Sequence, residues 1–255
     1  MASAGQDRRA ELRRRGPPGG FFGWIGCAIF TGVSAVAAAQ TCSVAVDVGH
    51  TLASPGATSA RGVSEFQFNL ALSKVLHAAL VAKGCRVGMI NEDGTIAALK
   101  DRTTNAGDAR LFVSIHHDSV QPQYLEAWEF ESTGRRYSDR FTGYSLFVSR
   151  GNPFPGKSLQ CASAIGAALQ AGGYPPSHYH ADPIPGENRA FADRVNGVHY
   201  YDQLVVLHTA RQPAVLIEAG VIVNRNAELM LAMPDTRQDM AQKIAGAIAD
   251  CLDHP

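Results

Sequence analysis

The stretch that decides the fold is Val44–Asn69, VAVDVGHTLASPGATSARGVSEFQFN. Its first residues are apolar and largely β-branched, so Ser43–Val48 reads as a buried strand. The strand ends in Gly49-His50, and a loop rich in Gly, Ser and Thr follows. Ser64 then offers an N-cap, with Gln67 three residues on to complete a capping box. Phe66, Leu70, Leu76 and Leu80 mark an apolar helical face, and Gly84 stops a helix over Ser64–Lys83. The unit is strand, loop, helix. It delivers His50 to the tip of a strand and sets Glu65 at the mouth of the next helix.

The same alternation continues outward. Arg86–Ile90 reads as a second strand and Thr95–Asp108 as a helix carrying Arg102 and Asn105. Leu111–His116 is a third strand that again ends in histidine. Glu126–Glu131 and Tyr144–Ser149 read as strands, with Arg135–Arg140 as a charged connection between them. Lys157–Ala171 reads as a helix. Gly172–Asn196, rich in Gly, Pro, His and Asp, reads as a long loop with a short helical piece. Pro213–Glu218 is another apolar strand, ending in a carboxylate. Asn224–Met233 and Pro234–Leu252 close the chain as helices. Strands alternating with helices predict an α/β fold, a twisted and mostly parallel sheet flanked by helices in a single catalytic domain, without internal repeats.

Three separate strands thus end in His50, His116 and Glu218. Parallel α/β sheets bind their ligands at the carboxyl ends of the strands, so these side chains are expected together, with Glu65 in reach. Two imidazoles and a carboxylate with one open position suit a hydrolytic zinc site. A second carboxylate would move the proton between water and leaving nitrogen. Each residue also has a plain alternative: a polar strand end, a first-turn acid favouring the helix dipole, a buried ion-pair partner. Alternation along the third strand sends His116 and His117 to opposite faces. Spacing does not choose between them, and whichever does not face the site is a neighbour of it or a surface histidine. His178, His180 and Asp182 form a rival H-x-H-x-D cluster, but in a loop without strand support. Trp128, Tyr144, Tyr179 and Tyr200 are candidates to line a groove, with core packing as the alternative for Trp128. Arg102 is expected to brace the sheet end by ion pairing.

The first 39 residues differ from the rest. Five arginines between Arg8 and Arg15 precede an apolar run, Phe21–Val36, and Ala37-Ala38-Ala39 supplies an A-x-A cleavage site before Gln40. Residues 1–39 read as a secretory signal peptide; the alternative is an uncleaved anchor, since Phe21–Ala39 nearly matches a bilayer. The full chain has 23 basic and 23 acidic residues; without the five arginines and two acids of residues 1–39 it carries 18 and 21, a net of −3. Nothing in that balance suggests a nucleic-acid partner, and no stable membrane insertion is expected after cleavage. Cys42, Cys85, Cys161 and Cys251 remain, an even count that permits two disulfides in an exported chain. Cys42 and Cys85 each precede a strand. Were those strands parallel neighbours, the thiols would lie side by side, which favours Cys42–Cys85 and Cys161–Cys251. Four free buried thiols are the alternative.

Four segments in order carry a family likeness: DVGH at 47–50, GVSEFQFNLAL at 62–72, LKDRTTNAGDARLFVSIHHDS at 99–119, and NGVHYYDQLVVLHTARQPAVLIEAGVIVN at 196–224. With these, the chain over Val44–Leu252 resembles the zinc-dependent N-acetylmuramoyl-L-alanine amidases that cleave bacterial peptidoglycan. The resemblance implies His50, Glu65 and His116 as ligands of Zn2+ and Glu218 as general base and acid. It implies peptidoglycan or muropeptides as substrate, export to the periplasm or cell envelope, and a protein activator where an occluding segment must be displaced. Departures are His117 and Asp118, Val221 in place of an aromatic, and a missing Gly-Gly pair after His50. A zinc hydrolase of another cell-wall or polyglutamate amide is the competing enzyme reading, and a non-catalytic wall-binding or regulatory module the competing class.

Overall fold

The structure, a computed structural model, describes residues 42–253. The signal-peptide expectation for residues 1–39 lies outside the described residues. The chain runs β1 (Ser43–Val48), α1 (Glu65–Ala82), β2 (Arg86–Ile90), α2 (Leu99–Asn105), β3 (Leu111–Asp118), β4 (Glu126–Phe130), β5 (Thr133–Tyr137) and β6 (Ser145–Val148). It continues through α3 (Pro155–Ala171), β7 (Phe191–Asp193), β8 (Val198–Tyr200), α4 (Val205–His208), β9 (Ala214–Val221), α5 (Arg225–Ala232) and α6 (Pro234–Asp253). Seven strands form one sheet in the order β2-β1-β3-β9-β6-β8-β7, and β4 and β5 form a separate hairpin. Pairing is parallel from β2 through β9 and between β6 and β8; β6 runs antiparallel to β9 and β7 to β8.

Strand alternation divides the core. Val44, Val46, Leu111, Val113, Ile115, Val215 and Ile217 pack beneath α1, α3 and α6, against Leu72, Leu76, Ile165 and Ile244. The other face carries Ala45, Phe112, Phe147, Ala214 and Leu216 and is covered by α4, through Val206 and Leu207, and the neighbouring loops. By the same alternation Asp47, Ser114, His116 and Glu218 fall on this thinly covered face. Both disulfides favoured from strand placement are present: Cys42–Cys85 and Cys161–Cys251, with Cα separations of 4.6 and 5.4 Å.

Several local expectations change. Ser64 makes no side-chain cap. The first amides of α1 are taken instead by backbone of the preceding loop, Glu65 N–H donating to Ala57 O (2.8 Å) and Phe66 N–H to Pro55 O (3.0 Å). Leu70 lies off the buried face, which runs through Phe68, Leu72, Leu76 and Leu80. The helix expected over 95–108 shrinks to α2, because Ile96 N–H goes to the Asn91 side chain and that segment serves a loop. The charged connection at Arg135–Arg140 is partly β5, since Arg135 and Tyr137 pair across to Trp128 and Glu126. β3 and β9 run past His116 and Glu218, through an irregularity between His116 and Asp118. Among the described residues no helix is long and apolar enough to cross a membrane.

Candidate metal centre and cleft

β3 and β9 place His116 directly beside Glu218 in the parallel ladder. β1 ends one strand over. His50, just past that end, adopts φ +67°, an uncommon conformation for a non-glycine residue that turns the chain away from the sheet. Its carbonyl is held twice, by Asn91 Nδ2 (2.6 Å) and Arg102 Nη2 (2.5 Å). Both side chains also reach the Val48 carbonyl, at 2.7 and 2.9 Å. Arg102 is buried beside Asp47 (3.6 Å). Desolvation pushes the Asp47 carboxyl up against the pull of Arg102 and a 2.7 Å hydrogen bond from Ser114. The expected brace is therefore real, and it acts mainly on backbone carbonyls around His50.

Glu65 closes the group. Its Oε2 lies 3.0 Å from His50 Nε2 and its Oε1 3.0 Å from His116 Nδ1. One donor atom from each of the three lies within 4.8 Å of the others. Burial pushes the Glu65 carboxyl up, but hydrogen bonds and charge from His116 and His50 outweigh it and hold the carboxyl well below its ordinary value. Ala57 N–H (2.9 Å) and Asn69 Nδ2 (3.3 Å) donate to the same carboxylate and fix its orientation. Two glycines leave the space: a Cβ at Gly49 would overlap the His116 ring, and one at Gly56, at φ +79°, would overlap the Glu65 carboxylate and the His50 ring. An imidazole and carboxylate donor set held by β3, by the braced turn after β1 and by the first residue of α1 fits zinc. His178, His180 and Asp182 form no such group among the described residues.

Glu218 is turned toward this group with its Oε2 buried and without a hydrogen-bond partner. Desolvation, then the charges of Asp118 and Glu65, pushes its carboxyl well up. His117 points to the opposite face, as alternation requires, and is fully enclosed. Its Nδ1 meets Asn69 Oδ1 at 2.9 Å and burial pushes its imidazole down to about 3. It is a neutral buried neighbour of the site and not a surface histidine.

Two adjoining cavities open over the centre. One, about 280 Å³, is lined by His50, Thr51, Arg102, His116, Leu204 and Val206 among others. The second, about 240 Å³, reaches from His50, His116 and Glu218 to Phe147, His180, Arg189 and Tyr201. The aromatic residues singled out in the sequence lie elsewhere. Tyr144 is buried with its hydroxyl on Gly166 O (2.8 Å), Tyr179 is buried and accepts from Gln121 N–H (2.6 Å), Trp128 sits on the β4–β5 hairpin, and Tyr200 sits under Arg150. Sequence reasoning missed the far wall. There His180 bridges Asp118 Oδ2 (2.7 Å) and Glu187 Oε2 (2.8 Å), and Arg189 pairs with Glu187 and stacks 4.1 Å from the Tyr201 ring. Desolvation would lower the His180 pKa, but the two carboxylates raise it to about 9. Only H-x-H-x-D hinted at this wall, and it suggested the wrong chemistry.

Comparison with known proteins agrees with the fold. The chain superposes on Ami1, an N-acetylmuramyl-L-alanine amidase from Mycobacterium smegmatis, with a TM-score of 0.66 and 23% identity over 84% of this chain and 98% of that one. The catalytic domain of CwlV, an N-acetylmuramoyl-L-alanine amidase from Bacillus (Paenibacillus) polymyxa, gives 0.62 and 25% over 84% and 99%. The CwlD amidase from Clostridioides difficile, solved in complex with the GerS lipoprotein, gives 0.61 and 20% over 84% and 100%. Sequence comparison with curated proteins gives no match. Residues 44–250 match the Amidase_3 family, described as N-acetylmuramoyl-L-alanine amidase, and the chain belongs to that family.

Proposed function

We propose that this chain is an exported zinc amidase that hydrolyses the amide between the lactyl group of N-acetylmuramic acid and L-alanine of the peptidoglycan stem. His50, Glu65 and His116 would hold the ion, and Glu218 would serve as general base and then acid. The observation that carries the reading is the convergence of three donors within 4.8 Å beside a carboxylate, one strand away, whose Oε2 is buried and unpartnered. When bound, zinc supplies a Lewis acid that polarises the scissile carbonyl and acidifies water. Glu218 takes a proton from the attacking water and returns it to the departing nitrogen. Burial that raises its pKa brings it closer to the range where one group can both accept and release a proton near neutrality. Asn91 and Arg102 keep His50 aimed, and Asn69 and the Ala57 amide keep Glu65 aimed.

Family membership supports the substrate. Two disulfides support an oxidising compartment, hence export, with residues 1–39 as the cleaved signal. The relative solved with a lipoprotein supports a protein activator as partner. The test is digestion of purified sacculi followed by mass spectrometry. Free stem peptides beginning at L-alanine are expected, lost on chelation and restored by zinc. Fragments that keep the muramoyl–alanine bond and are cut within the peptide would replace this reading with an endopeptidase.

A further inference from the structure

The β4–β5 hairpin carries a cation that nothing among the described residues neutralises. Its cross-strand register puts Trp128, Phe130, Arg135 and Tyr137 on one face. That face rests on the loop between β1 and α1, where Trp128 Nε1 donates to Ala60 O at 3.0 Å. The neighbouring arginines are all engaged. Arg61 pairs with Glu228 at 2.8 Å and lies over Trp128. Arg225 pairs with Asp139 at 2.5 Å and lies over Tyr137. Glu126, on the same hairpin, accepts from the Tyr137 hydroxyl. Arg135 is different: among the described residues its guanidinium has no carboxylate, hydrogen-bond or ring partner, and its Nε is out of water. Gly62, at φ +96°, makes its seat, since a Cβ there would overlap the guanidinium.

Arg135 lines a cavity of about 310 Å³ with Arg136, Thr58, Ser59 and Ser119. Arg136 Nη2 is held on the carbonyls of Pro122 and Leu125 (3.1 and 3.4 Å), and Ser59 Oγ donates to Glu228. A guanidinium partly removed from water without a counter-charge is costly. A carboxylate meets its planar fork with two parallel hydrogen bonds. The place suits a substrate. Thr58 follows Ala57, whose amide holds Glu65. Ser119 lies three residues beyond His116, at most ~11 Å along an extended chain.

We propose that Arg135, with Arg136, Thr58 and Ser119, forms an anion subsite for a carboxylate of the peptide stem, one or two residues beyond the scissile amide. This rests on the amidase reading above. The probes are N-acetylmuramoyl-L-alanyl-glutamic acid and its diamide. Wild type is expected to favour the acid by about tenfold in kcat/KM, the scale of a charge-assisted hydrogen bond. Arg135→Gln brings the ratio close to one, with the change carried by KM. Arg135→Lys keeps part of it, having charge without the fork. An unchanged ratio in Arg135→Gln overturns the proposal. Should that variant misfold, wild type decides: competitive inhibition by N-acetyl-L-alanyl-glutamic acid, and not by equal inorganic phosphate, supports the carboxylate subsite, and equal inhibition by both overturns it. Should wild type cleave neither probe, the amidase reading fails separately. Calorimetric titration of wild type then upholds the subsite if the acid binds tighter than the diamide, and overturns it if they bind alike.

Discussion

Glu218 is a carboxylate in the wrong environment for a carboxylate, which is the physical basis of the proton-transfer role proposed for it. Glu218→Gln keeps the shape and removes the group proposed to carry the proton. Turnover of sacculi is expected to fall by about 10²–10⁴-fold, the usual contribution of general acid–base catalysis, while zinc content by atomic spectroscopy stays at one per chain. Retained activity would remove Glu218 from its role. His180 makes the opposite kind of statement. Its folded pKa of about 9 lies above the ordinary 6.5, so folding favours its charged form. That contribution is complete below about pH 6.5 and is lost as pH rises through 9. His180→Ala is expected to cost about 3 kcal/mol near pH 6, since it removes one partner from a buried ion pair. The gap in Tm from wild type should narrow by pH 10 to what the lost ring packing leaves; a gap independent of pH would mean the bridge carries no charge. The meeting of His50, Glu65, His116 and Glu218 at one end of the sheet was legible because strand tips and helix mouths have local signatures. The His180, Glu187 and Arg189 wall was not, because it depends on how a Gly/Pro-rich segment folds back, and no period in the sequence records that.

At the scale of elements, the loop from His50 to Ser64 does more than connect. It caps α1 with its own carbonyls, holds Glu65 through the Ala57 amide, and leaves room for the ring of His50 at Gly56. Gly56→Ala asks for φ +79° from a residue with a Cβ and drives that carbon into the Glu65 carboxylate. The fold is expected to survive by circular dichroism, with zinc affinity down at least tenfold in a chelator competition, the scale of losing a partner that orients a metal ligand. Unaltered affinity would show that the loop has slack. Ser64 and Gln67 spell a capping box that does not form, because backbone carbonyls reach the amides first. The short strands β7 and β8 and the four-residue α4 were also missed. Each is too brief for hydrophobic period to mark it, and each exists through tertiary contact, β8 by pairing with β6 and α4 by packing Val206 and Leu207 onto the sheet. The long elements β1, α1, β3, β9 and α6 were legible because burial on a defined face leaves a pattern.

For the whole molecule, two disulfides close separations of 43 and 90 residues. Chain-entropy arguments assign about 4 kcal/mol to the first and about 4.6 kcal/mol to the second as upper figures. Reduction under native buffer is expected to lower Tm by many degrees without releasing zinc at room temperature, followed by calorimetry and metal analysis on the same sample. A Tm unmoved by reductant would mean the thiols are unlinked in solution. The strand order was not written in the sequence, since it depends on which strand edges meet. β9, the last strand of the chain, is seated in the middle of the sheet, between β3 and β6.

That late central strand has a consequence for biosynthesis. A nascent polypeptide interrupted between His117 and Ala214 owns both imidazoles and the helix-mouth acid, yet has a gap down its centre and lacks Glu218. Such a fragment is expected to be protease-sensitive and inert, so that hydrolysis, on the function proposed above, waits until nearly the entire product has been synthesised.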